Sequence, residues 1–185
     1  NKPLVVAVLG ALSKIKGADV LEAVAAKAAA SGAALEFHLL GYAYRNLKTQ
    51  PKARLTVHGP YADEDLAQLL DWLKPDVVWF PAIWPETYSY TLSACIEHGL
   101  PVVAPNIGAF PERLQGRPWT WLCDWQTPTD QWLSFFEHLR EHNFLPGVAP
   151  TPPVIAPDAS SLGEQDFGYY TNYLAGLPCP TPPGP

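Results

Sequence analysis

The stretch from Val77 to Pro105, VVWFPAIWPETYSYTLSACIEHGLPVVAP, constrains this chain most, because it reads as strand, loop, helix and strand in direct succession. Val77 to Phe80 is a β-branched and aromatic run, the composition of a strand buried on both faces. Thr87 to His98 reads as a helix closed by Gly99 and stopped by Pro101, after which Val102 and Val103 open another strand. The turn Trp84-Pro85-Glu86-Thr87 sets a carboxylate beside the amides of Tyr88, Ser89 and Tyr90 at the expected helix start. Such an end carries partial positive charge and N–H donors, so it is a candidate phosphate-binding site.

The same alternation runs through the chain. Leu4 to Gly10 reads as a central strand, followed by the loop Ala11 to Gly17 and a helix from Ala18 to Ser31 with Val20, Leu21, Val24, Ala25 and Ala28 on its apolar side. Ala34 to Leu40 is a second strand, ending at Gly41, and Leu55 to His58 a third, leading into the turn Gly59-Pro60-Tyr61. Asp63 to Lys74 has helical periodicity, with Asp63 as cap or first-turn acid, Leu66, Leu69, Leu70 and Leu73 inward, and Pro75 as the stop. Asn106 to Leu114 reads as a loop, Trp119 to Leu122 as a sixth strand, and Thr127 or Thr129 as the start of a helix to Asn143 that turns Trp132, Phe135, Phe136 and Leu139 inward. The expected fold is α/β, a Rossmann-like open parallel sheet with helices on both faces. Ligands of such sheets sit beyond the carboxyl ends of the strands, where Gly10 to Lys16, Gly41, Gly59 to Tyr61, Glu86 to Tyr90 and Gly108 all fall.

Composition narrows the function classes. With 185 residues, 48% of them hydrophobic, the chain can bury one sizeable core. A net charge of −6 and a pI near 5.2 argue against a nucleic-acid surface. No apolar run is long enough to span a membrane, and the short run at Leu4 to Leu9 does not resemble a signal peptide. Cys95, Cys123 and Cys179 lack metal-site spacing, which favours a reduced, cytoplasmic protein. Because the sequence contains no Met, it reads as a piece of a longer chain. Past Phe144 the prolines crowd, so residues 1–144 are expected to form the domain and 145–185 a Pro-rich tail. In that tail Tyr169, Tyr170, Tyr173 and Leu174 form an apolar patch.

The pattern E-T-x-x-x-x-L-x-x-x-x-x-x-G-x-P-V-V-A-x-x-x-G-x-x-x-E, from Glu86 to Glu112, resembles the donor-binding half of the retaining, GT-B-fold glycosyltransferases, group 1. The likeness runs from about Leu4 to Phe144. It implies transfer of a sugar from a nucleoside-diphosphate sugar to an acceptor with retention, without metal or cofactor, in polysaccharide or glycan biosynthesis. It also implies a partner N-terminal acceptor domain in the same polypeptide. By the resemblance, Glu86 orients the donor sugar and Lys16 contacts the diphosphate from the loop after Gly10. Gly41, Gly59, Pro60 and Tyr61 lie around the nucleotide, Thr87, Tyr88, Ser89 and Tyr90 offer first-turn groups, and Gly108 brings its backbone near the donor. Two positions depart from the family. Ala11 stands where many relatives carry an Arg, and Ala94 stands where a second Glu accepts hydrogen bonds from the ribose. Glu97, one turn beyond Ala94, could take over that role or simply face solvent. These departures keep a second reading open, a degenerate domain of the same fold that serves as a scaffold or partner-binding module. A receiver or flavodoxin-like domain fits less well, since receivers need an acidic cluster after the first strand, where Gly10 to Lys16 lie here. Tyr42, Tyr44, Arg45 and Lys14 read as exposed loop residues, and His58 as structural.

Overall fold

The computed structural model describes residues 2–85 and 89–150. Six strands, β1 (Leu4–Leu12), β2 (Leu35–Ala43), β3 (Leu55–Val57), β4 (Val77–Trp79), β5 (Val102–Pro105) and β6 (Thr120–Cys123), form one sheet in the order β3-β2-β1-β4-β5-β6. All five pairings are parallel. The order reverses between β1 and β4, and at that switch point two crossovers leave in opposite directions and open a crevice.

Strand side chains alternate between two cores. Leu4, Val6, Val8, Val77, Trp79, Val103 and Trp121 pack on one face against α1 (Ala18–Ser31) and α5 (Thr129–Leu139). Ala7, Leu9, Val78, Val102, Ala104 and Leu122 pack on the other against α2 (Leu66–Leu73), α3 (Tyr90–Glu97) and α4 (Phe110–Arg113). The inward stripe expected of α5 is buried as read, and Phe136 meets Phe37 edge-on and Trp79 at a steep angle, with ring centroids 5.6 and 5.0 Å apart.

Several element ends differ from the sequence reading. β1 and β2 continue two residues past their glycines, because Ala11 pairs with Tyr42 and Leu12 with Ala43 in unbroken register. Gly41 therefore lies inside a strand rather than in a turn. The helix expected from Asp63 opens as a 3-10 turn, Asp63–Asp65, before α2 proper. The helix expected from Thr87 begins at Tyr90, since Ser89 has extended backbone and its Oγ caps the Leu92 N–H at 3.2 Å. Its other end is as read: Gly99, at φ +69°, donates to Ile96 O and Leu100 N to Cys95 O, a Schellman closure. The expected loop at 106–114 holds the one-turn helix α4, with Pro111 in its first turn, where a missing N–H costs nothing. After α5 the chain widens into a π turn, Arg140–Phe144, in which Leu145 N donates to Arg140 O. The tail patch at Tyr169 to Leu174 lies outside the described residues.

Arg45, in the loop after β2, is bound to α1 rather than to the carboxyl edge. Its Nη2 donates to Asp19 Oδ1 at 2.6 Å and to Glu22 Oε1 at 2.9 Å. The guanidinium holds both carboxyls below their usual range. A lowered folded-state pKa contributes stability that is present above the unfolded value and is lost as the pH falls through the folded one. Arg45→Met should therefore melt below the parent at neutral pH, with the gap closing in acid. Thermal melts across that range check this, and a gap independent of pH would remove the network from the account.

Candidate functional site

The crevice at the switch point is a cavity of about 230 Å³. Gly10 and Ala11 of β1 form one wall, and Phe80, Pro81 and Ala82, just after β4, form the facing one. Lys16 from the loop after β1, Tyr61 and Asp63 from the turn before α2, and Ser89, Tyr90 and Thr91 at the start of α3 complete the rim, with Phe110 of α4 behind. A larger cavity of about 600 Å³, lined by Arg117, Trp119 and Phe144 among others, lies at the opposite edge of the sheet. Size does not decide between them, because open α/β sheets bind ligands at the carboxyl ends of their strands.

Glycines shape the wall. Gly10 and Gly41 are register partners on β1 and β2, and Gly59 N donates to Gly41 O at 2.9 Å. A Cβ on Gly41 would lie 2.0 Å from Gly10 O, so this end of the sheet closes only without one. Gly17, at φ +96°, packs equally close to Pro81, where a Cβ would come within 2.1 Å of the Pro81 carbonyl oxygen. That contact brings the Lys14 to Gly17 loop, and hence Lys16, over the cavity.

The start of α3 forms the opposite side. Ser89 is only 8% exposed, its Oγ lying 3.2 Å from Thr91 Oγ1, and Thr91 Cγ2 comes up against Gly10. Helix starts leave their first N–H groups without intrahelical partners, and Ser89 takes up one of them here, while the exposed Lys16 and the carboxylate of Asp63 both stand on the rim. Burial, with Asp63 and Cys95 nearby, pushes the Tyr61 phenol up, and burial pushes the Cys95 thiol up to about 12, so neither ionises near neutrality.

A groove of about 430 Å³ between α2 and α3 shares Tyr61, Asp63, Tyr90 and Thr91 with the cavity and extends it toward Ala94 and Glu97. Its walls are acidic, with Asp63, Glu64 and Glu97, and Ala94 faces it without a polar group.

Of the residues singled out from the sequence, the fold gathers Gly10, Ala11, Lys16, Tyr61, Ser89 and Tyr90 around one cavity and Ala94 beside it. Gly41 stands behind the wall, buried against Gly10. Gly59 and Pro60 lead into Tyr61 without lining the cavity, and exposed Gly108 lies in the turn before α4. Glu86, Thr87 and Tyr88 lie outside the described residues. Among the described residues no group of His, Cys, Asp and Glu could hold a metal ion, and no helix is long and apolar enough to cross a membrane. His58 stacks on His38, with Nε2 2.9 Å from its Nδ1, away from the cavity walls.

Residues 3–134 match the model of a known family, Glycosyl transferases group 1. The chain belongs to that family. This group 1 glycosyltransferase chain also matches solved structures with the same fold. Anabaena HepE, in complex with UDP and glucose, superposes with a TM-score of 0.58 at 18% identity, over 77% of this chain and 40% of HepE. The C-terminal domain of the group 1 protein LpcC from Francisella tularensis matches at 0.56 and 16% identity, over 78% of this chain and 80% of that domain. Sucrose-phosphate synthase from Thermosynechococcus elongatus matches at 0.57 and 17% identity, over 77% of this chain and 37% of the synthase. The group 1 chain thus spans well under half of HepE and of the synthase but most of an isolated C-terminal domain. By sequence, no curated protein matches it.

Phe80, Pro81, Ala82 and Asp63 line the cavity without having been singled out as ligand residues. Their signal was positional, since each directly follows a strand or opens a helix at the carboxyl edge.

Proposed function

We propose that the chain is the donor-binding domain of a retaining glycosyltransferase, which moves a sugar from a nucleoside-diphosphate sugar to an acceptor in cytoplasmic polysaccharide or glycan assembly. The observation that carries this reading is the cavity at the β1/β4 switch point, bounded by Lys16 on one side and the start of α3 on the other. A diphosphate leaving group gains negative charge as the glycosidic bond breaks, and a cation and a helix start fixed in advance stabilise that charge. Glu86 orients donor-sugar hydroxyls, and no metal takes part. The groove between α2 and α3 receives the nucleoside. HepE, which shares the fold, is seen with UDP and glucose. The acceptor site belongs to a second domain, consistent with the share of HepE and of the synthase that this chain spans.

Ala94 favours a second reading, a domain of this family that has lost its donor and serves as a scaffold, because the groove lacks a carboxylate at that position. Calorimetric titration with UDP, GDP and ADP separates the two: saturable binding of one nucleotide supports the donor domain, and none at millimolar ligand supports the scaffold. If the donor reading holds, Ala94→Glu restores a hydroxyl acceptor worth roughly 1.5 to 3 kcal/mol, or about ten- to a hundredfold in affinity. Unchanged or weaker binding by the variant in the same titration would remove the ribose role from position 94.

A further inference from the structure

We propose that Arg113 is a positioning residue for the diphosphate end of this site, an inference that rests on the donor-binding reading above. Arg113 is the last residue of α4, and its guanidinium reaches across to the first turn of α3. Nη1 donates to the Ser89 carbonyl at 2.9 Å and Nη2 to Ser93 Oγ at 2.6 Å. The Ser89 carbonyl also accepts from Ser93 N at 3.2 Å and from Ser93 Oγ at 3.3 Å. One half-buried fork therefore grips both the cap residue and the residue one turn on. Bidentate contact of this kind fixes direction as well as distance, which an ammonium cannot reproduce.

The gripped turn is the cavity wall itself, since Ser89, Tyr90 and Thr91 all line it. The grip is anchored from behind. Phe110, one turn before Arg113 on α4, lines the same cavity and packs on Phe80 with ring centroids 5.3 Å apart. Arg113 thus links the wall that follows β4 to the wall that opens α3, and it adds a full positive charge to the partial charge of the helix start. An anion in the cavity gains from both effects, whereas an uncharged nucleoside in the groove gains from neither.

The test compares a nucleoside diphosphate with its own nucleoside on the full 185-residue chain. Whichever of UDP, GDP and ADP binds the parent is titrated into Arg113→Met, Arg113→Lys and Ser93→Ala, and the matching nucleoside is followed by NMR shift titration. Arg113→Met is expected to weaken the diphosphate about tenfold while leaving the nucleoside within about twofold, with Arg113→Lys recovering part of the loss through its retained charge. Ser93→Ala, which keeps the arginine but removes one acceptor, is expected to lose about threefold for the diphosphate alone, and it serves should Arg113→Met fail to fold. Equal loss of diphosphate and nucleoside, or diphosphate binding unchanged in both Arg113→Met and Ser93→Ala, overturns the positioning role. Failure of the parent to bind any of the three diphosphates overturns the donor reading instead.

Discussion

Replacing Glu86 and Lys16 together by alanine is expected to weaken binding of the cognate nucleoside-diphosphate sugar by at least about a hundredfold. On the donor-binding reading proposed above, each removed group makes a charge-assisted hydrogen bond worth roughly 1.5 to 3 kcal/mol, so two of them amount to about two to four powers of ten. The single variants divide the loss by chemistry. On that reading Lys16, on the rim of the cavity, serves the diphosphate, so Lys16→Ala should weaken the free diphosphate and the sugar nucleotide alike. On the same reading Glu86 accepts from sugar hydroxyls, so Glu86→Ala should spare the free diphosphate. Because Lys16 is exposed, its share should also shrink as salt is added. Calorimetry with both ligands checks all three outcomes. A double variant that binds the sugar nucleotide within about threefold of the parent would mean that the cavity between β1 and α3 is not the donor site.

The sheet was legible in the sequence because a buried parallel strand and an amphipathic helix write opposite periodicities. Leu4 to Leu9 and Val77 to Trp79 can hardly be anything but strands, and the Leu66, Leu69, Leu70, Leu73 stripe cannot be one. The place of the candidate cavity followed, since the loops flagged for ligands, at Gly10 to Lys16, at Tyr61 and at the start of α3, fall at one edge of such a sheet. What stayed illegible depends on partners far along the chain. Gly41 reads locally as a strand terminator, yet it is a glycine because Gly10 passes too close for a side chain. Arg113 reads locally as a polar residue after a proline, and its bond to Ser89 spans 24 residues. The start of α3 was misplaced for a different reason: Thr87 and Ser89 are comparable caps by type, and Ser89 has the geometry to bond the Leu92 N–H. Ala94 shows the converse, since the family resemblance singles out its position while the acids across the groove, Asp63 and Glu64, follow only from the fold.

Gly41→Ala is expected to destabilise the fold by about 3 to 5 kcal/mol, the range of severe single substitutions, and to lower the melting temperature by about 10 °C or more. Two costs combine. The residue sits at φ +140°, where an L side chain is strained, and its Cβ would stand 2.0 Å from Gly10 O and 2.7 Å from Gly10 C. Backbone cannot swing aside as a flexible side chain can, so β1 and β2 must part at the end where Gly10 forms the cavity wall. Gly59→Ala isolates the first cost, since Gly59 lies at φ +91° but has nothing within 4 Å of its would-be Cβ. That control should lose only about 1 to 3 kcal/mol, the cost of backbone strain alone. Paired thermal melts measure the difference. If the Gly41 variant melts within a degree or two of the Gly59 variant, the close approach of β1 and β2 is not what demands glycine there. If it melts far below, the steric demand that closes the sheet is also what leaves the Gly10 backbone bare beside the cavity.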